Sequence, residues 1–137
     1  MNKANLTMAE QIALVVNDFE ERRTGHRPKS VSVVLSDDTL VITLHGALSP
    51  AERALALTPD GIAQVREFHR ELFNNSSDEL RREIERITGV KVREAAAEVE
   101  TNTGTVVQVF TTGTVVQVYL LAHGMSADAW SVSKSEG

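Results

Sequence analysis

Between Ser30 and His45 the chain admits a single register. Two runs of alternating apolar residues, Ser30 to Ser36 and Thr39 to His45, flank the dipeptide Asp37-Asp38, the turn chemistry of a two-residue hairpin. Folding about that dipeptide sets Leu35 opposite Leu40, Val33 opposite Ile42 and Val31 opposite Leu44, all on one face. The other face pairs Ser32 with Thr43 and Ser30 with His45, with Val34 beside Val41. Side chains alternate with period two, so a slip of one residue would send the whole apolar set to the wrong side. A ribbon with one apolar face needs helices to cover it, and the flanking segments supply them.

Upstream, Thr7 and Glu10 form a capping box, and Ile12, Val15, Val16 and Phe19 recur at helical spacing. This predicts a helix from about Thr7 to Thr24, stopped by Gly25. Its exposed face is expected to carry Asp18, Glu20 and Glu21, followed by Arg22 and Arg23. Downstream, Ser49-Pro50-Ala51-Glu52 is a second capping box with proline at the first helical position. A short helix to about Leu57 follows, and Thr58-Pro59 starts a longer one. Ile62, Val65, Phe68, His69, Leu72 and Phe73 mark its inner side. Asn74-Asn75-Ser76-Ser77 is irregular, and Ser76 with Glu79 could cap a new helix. The apolar phase nevertheless resumes at Leu80, Ile84 and Ile87, which favours one long helix ending at Gly89.

A third strand is expected from about Val90 to Thr101. Its change of parity suggests a bulge near Arg93 and Glu94. Asn102-Thr103-Gly104 reads as a turn. Residues 103–109 then spell TGTVVQV, and residues 112–118 spell it again, with Phe110 and Tyr119 extending the match. Two identical strands can compete for the slot beside the third strand. Loop closure favours the first copy by only about 1.2 kcal/mol. The leading expectation places copy one in that slot and folds copy two back as an added strand. Val107 and Val109 would then lie on one face and Gln108 and Gln117 on the other. Exchange of the extra strand between subunits, or simple lengthening of an edge, are the alternatives.

The expected architecture is α+β: helix, β-hairpin, short helix, long helix, antiparallel strands, with helices on one face of the sheet. The 137 residues fit one domain over 1–124, followed by a polar tail over 125–137. A chain of this length buries roughly two-thirds of its unfolded surface and needs no staple. No cysteine is present, which excludes disulfides and thiolate chemistry. The net charge of −5 argues against non-specific nucleic-acid binding. No apolar run reaches the ~20 residues of a membrane helix, so no membrane insertion is expected, and the protein is read as cytoplasmic. The partly apolar outer face of the hairpin suggests a homodimer.

One stretch after another matches a known pattern. The strand entry Arg27-Pro28-Lys29-Ser30-Val31 after Gly25 is followed by Gly46-Ala47-Leu48-Ser49-Pro50-Ala51-Glu52. Leu55, Thr58, Gly61 and the region of Arg66 come next, then Thr88-Gly89-Val90-Lys91-Val92 and the Thr103-Gly104 turn. From Ile12 to about Phe110 the chain resembles the MpsC-like family of small bacterial proteins, named for a sodium-translocating, membrane-potential-generating system. The second TGTVVQV copy is outside that pattern. The resemblance implies a bacterial cytosolic accessory protein near ion or inorganic-carbon transport, with a protein partner at the membrane. It brings no catalytic residues.

Chemistry-bearing residues are sparse. His26, His45, His69 and His123 lack the spacing of a helical metal pair, and no cofactor is expected. The dense basic cluster is Arg22, Arg23, Arg27 and Lys29. With His45 it makes the candidate ligand-binding set, suited to an anion by charge attraction. The plainer reading is a solvated turn whose charges suit a helix C-terminus. Glu52 with Arg53, and Arg66 with Glu67, could form a polar site near His45. Capping already accounts for Glu52, however, and surface pairing with Arg70 accounts for Glu67. Three classes remain open: a non-enzymatic accessory or regulatory protein, an anion or nucleotide sensor at the basic turn, and an enzyme with a site at a dimer interface.

Overall fold

The computed structural model describes residues 6–112. The first helix, α1, spans Met8–Thr24. Thr7 caps it, with Glu10 completing the box, and Gly25 closes it in the left-handed region at φ 76°. Strands β1 (Ser30–Ser36) and β2 (Thr39–His45) pair antiparallel in the expected register, Val33 opposite Ile42 and Val31 opposite Leu44. Helix α2 (Pro50–Leu55) starts on the Ser49/Glu52 box. Helix α3 (Pro59–Thr88) then runs unbroken for 30 residues. Strands β3 (Glu94–Glu100) and β4 (Thr105–Thr111) complete the described chain.

The four strands form one antiparallel sheet in the order β1-β2-β4-β3. Helices α1 and α3 pack on each other and on one face of the sheet. The core lies between these layers, built from Ile12, Val16 and Phe19 of α1, Phe73, Leu80 and Ile84 of α3, and Ile42, Leu44, Val106 and Phe110 of the sheet. Aliphatic side chains dominate, and the one aromatic pair within this core, Phe73 with Phe110, has centroids 6.0 Å apart.

The favoured single long helix is present: the Ser76 hydroxyl donates to the Leu72 carbonyl at 2.6 Å, so a potential breaker is satisfied inside α3. One expectation is corrected. There is no bulge at Arg93 and Glu94. Pairing begins at Glu94, and Val90 to Arg93 is a connector fixed by the Val92 N–H donating to Glu85 Oε2 and the Arg93 N–H donating to the Thr111 carbonyl. The parity change is where the chain enters the sheet. Gln108 lies on the face opposite Val107 and Val109, as expected, and that face is the one toward the helices: Gln108 pairs with Ile42 and Ala97 and shares a face with Val106 and Phe110.

The first repeat copy occupies the slot beside the third strand, as expected, and also pairs with β2. Both of its edges are therefore taken. The second copy and the tail over 125–137 lie outside the described residues.

Candidate functional site

The site is assembled from one polar side chain on each of four elements. On α1, Ile12, Val16, Phe19 and Glu20 are buried together. Glu20 is thus not on the exposed face, as its neighbours Asp18 and Glu21 suggested. It stands four residues beyond Val16 and eight beyond Ile12, on the same apolar stripe, and is only 8% exposed. On α3, His69 occupies the inner stripe between Val65 and Phe73 and is 5% exposed. On β4, Gln108 is 4% exposed. From α2, Glu52 reaches across: one carboxylate oxygen accepts from the Ser49 N–H at 2.9 Å, and the other lies 2.7 Å from His69 Nε2. Glu52 therefore both caps a helix and holds a buried histidine.

Glu20, His69 and Gln108 border a cavity of about 490 Å³ between α1, α3 and the β3–β4 side of the sheet. Val16, Phe19, Phe73, Leu80 and Val106 form its apolar wall. It reaches the surface near Arg66, Glu67 and Glu98. Among the described residues, four buried side-chain atoms lack a hydrogen-bond partner: Asn17 Oδ1, Glu20 Oε2, Arg81 Nε and Gln108 Oε1. Two of the four are on Glu20 and Gln108, residues that border this cavity. An unsatisfied buried oxygen costs roughly 1–3 kcal/mol. A second concavity, of about 430 Å³, lies between the hairpin tip and the C-terminal end of α3. Its walls are mainly apolar and it has no comparable pair of unmet groups.

Burial pushes the Glu20 carboxyl above the ordinary carboxylate range, reinforced by the nearby Glu52 charge and opposed by His69 and His26. Burial also acts upward on Glu52, but the hydrogen bonds from His69 and the Ser49 N–H outweigh it and hold that carboxyl low. For Glu20 the folded state keeps its proton to higher pH than the unfolded chain does. Its contribution to stability is therefore present at low pH and declines as pH rises from 4.5 through the raised folded value. Glu20→Gln should flatten that decline and raise the denaturant midpoint at about pH 8, measured by urea melts across pH.

The sequence-derived set is dispersed. Arg23 borders the cavity and donates to Glu79 at 3.2 Å. Arg22 and Arg23 both lie over the Phe19 ring, 5.1 and 5.0 Å from its centroid. Arg27 pairs with Glu21 at 2.7 Å and Asp18 at 3.7 Å. The Lys29 stem lies against Gly46, and its N–H donates to the His45 carbonyl. His45 is exposed at the end of β2, its Nε2 3.5 Å from Ser32 Oγ. The polar group considered near His45 gathers instead around His69, where Glu52 bonds the ring and Arg66 and Glu67 line the same cavity. Among the described residues no cluster of three His, Asp or Glu could hold a metal ion.

The fold and site define a small α+β protein with a four-stranded antiparallel sheet, two helices on one face and a polar-headed cavity under them. A family model described as "Na+-translocating membrane potential-generating system (MpsC)" matches residues 4–114, and the chain belongs to that family. It is 26% identical over 110 residues to the uncharacterized protein YbcI of Bacillus subtilis (strain 168), covering 80% of this chain and 89% of the relative. No solved structure matches. No helix among the described residues is long and apolar enough to cross a membrane.

Proposed function

We propose that the chain is a non-enzymatic regulatory component linked to membrane-potential generation, and that its input is a small molecule held in the cavity between α1, α3 and the sheet. The observation that carries this reading is the cavity itself, bordered by the buried polar residues Glu20, His69 and Gln108 from three different elements. The family description supplies the physiological setting. In this reading the protein works in the cytoplasm as a homodimer that contacts a partner at the membrane. The β1 edge supports such an assembly: Val34 is 58% exposed and Leu35 70% exposed on a strand paired on one side among the described residues. The test is recovery of partners with the tagged chain at native abundance, with dye-reported membrane potential in cells lacking it. An ion-translocating membrane partner and an altered potential are expected. Recovery of no such partner, with an unchanged potential, would sink the reading.

A second reading places an anion at the basic turn. It is favoured by Arg22 and Lys29, whose charges have no acidic partner among the described residues. Phosphate-induced thermal stabilisation that disappears in Arg22→Ala and Lys29→Ala would establish it.

A further inference from the structure

We propose that the sheet has two folded registers: residues 114–120, from the second TGTVVQV copy, can replace Thr105–Thr111 as the strand between β2 and β3, releasing the first copy into the loop that follows β3.

The slot itself makes the case. β4 pairs with both β2 and β3, so whatever fills its place must satisfy two partners at once. A shift of nine residues does so. Residues 105–109 and residues 114–118 both read TVVQV, so no side chain changes at those positions. Val106 and Gln108, 3% and 4% exposed on the helix-facing side, are replaced by Val115 and Gln117. The turn is copied as well. Gly104 adopts φ 72° and its carbonyl accepts from the Ala47 N–H at 2.7 Å. Glycine suits that left-handed place best, and the second copy brings Gly113 to it.

The two registers differ in three respects. The link from Glu100 to the slot, residues 101–104, becomes residues 101–113, and a loop about three times longer costs roughly six- to eightfold in population. Tyr119 takes the place of Phe110, which is 2% exposed with its ring centroid 6.0 Å from that of Phe73. A hydroxyl buried there without a partner costs roughly ten- to a hundredfold. Leu120 takes the place of Thr111 and forgoes the hydroxyl contact with Thr39 at 3.3 Å. Together these put the second register on the order of 1% of folded molecules, within the roughly 0.1–10% at which minor states are populated. The cavity wall is the same in both registers, because Val115 and Gln117 repeat Val106 and Gln108. What changes is the surface: a core strand leaves the sheet and both of its edges become free.

The chain has no cysteine, so an engineered pair is unambiguous. Ile42 is fully buried on β2 and lies opposite Gln108. β2 stands between β1 and β4, so a residue reaches the position opposite Ile42 on that side only from inside the slot. Ile42→Cys with Gln117→Cys, folded in reductant and then held in mild oxidant, is expected to accumulate an intramolecular disulfide. Its product should keep the native circular dichroism and unfold cooperatively. Ile42→Cys with Gln108→Cys is the control that locks the first register. Closure of the Gln108 pair without the Gln117 pair, a product that does not unfold cooperatively, or a cross-link solely between chains overturns the proposal. Aspartate substitutions give a second reading that is independent of disulfide geometry. Val106→Asp buries a charge in the first register alone, so it should lower the melting temperature by roughly 10 °C as the second register takes over. Val115→Asp alone should lower it by less, and the two together should abolish cooperative unfolding. If Val106→Asp is as damaging as the double variant, if the two losses simply add, or if Val115→Asp alone unfolds the chain, the second copy is not a spare strand and the proposal falls.

Discussion

Gly61→Ala should cost about 3 kcal/mol, the upper end of what overpacking a close-packed site costs, and lower the melting temperature by roughly 10 °C or more. Gly61 sits in the first turn of α3, its N–H donating to the Thr58 hydroxyl at 3.0 Å. A methyl group built there would lie 1.6 Å from the Leu55 carbonyl oxygen and 2.6 Å from its carbon. Both obstacles are backbone, so no side chain can rotate away. Either α2 or the start of α3 must shift. Gly89 is the control. Its φ of 75° strains any L residue, yet a methyl there meets nothing within 4 Å. Gly89→Ala should therefore cost only about 1 kcal/mol. Paired urea melts of the two variants decide it: equal losses would mean that Gly61 is not a contact point. Because α2 carries Glu52, Gly61→Ala should also disturb the Glu52–His69 contact. Thermal stabilisation by cavity ligands would then fall along with stability.

The elements that could be read from residues alone are those whose signal is local. The β1–β2 register follows from an alternation that only one pairing satisfies, and each helix start follows from an oxygen three residues before an N–H. The candidate site is not local in that sense. Glu20 sits beside Asp18 and Glu21, so its chemistry reads as solvent-facing, while its spacing from Ile12 and Val16 places it inside. Spacing was the better guide. Glu52 and His69 are seventeen positions apart on different helices. Capping explains one oxygen of Glu52 and says nothing of the other. Gln108 depended on which face of β4 turns inward, and both faces carry large apolar residues. Pairing with β2, whose Leu40, Ile42 and Leu44 face the helices, decides it, and that pairing is a property of the assembled sheet. In each case the deciding information is tertiary.

Glu52→Ala should destabilise the protein by about 2–4 kcal/mol, in two separable parts. The first is the capping box: the Ser49 N–H loses its acceptor, worth about 1 kcal/mol. The second is the buried His69 N–H, left without a partner at roughly 1–3 kcal/mol. Glu52→Gln keeps one acceptor, for the Ser49 N–H, and turns an amide N–H toward His69 Nε2, which can accept once the ring takes its other tautomer; it should cost less, about 1 kcal/mol. A double-mutant cycle with His69→Leu isolates the pair. A coupling energy near zero would show that the 2.7 Å contact contributes nothing beyond the cap. The pH profile gives an independent check. Glu52's carboxyl is held low when folded, so its stabilisation is complete above the unfolded value of 4.5 and is lost as pH falls through the lower folded value. Glu52→Gln should remove that acid limb. Glu20 acts with the opposite sign, losing stability as pH rises. The two carboxyls flank one histidine, so the wild-type curve should bend down on both sides of a maximum. Each single Gln variant should straighten only its own side. If Glu52→Gln instead flattened the alkaline limb, the roles of the two carboxyls would be reversed.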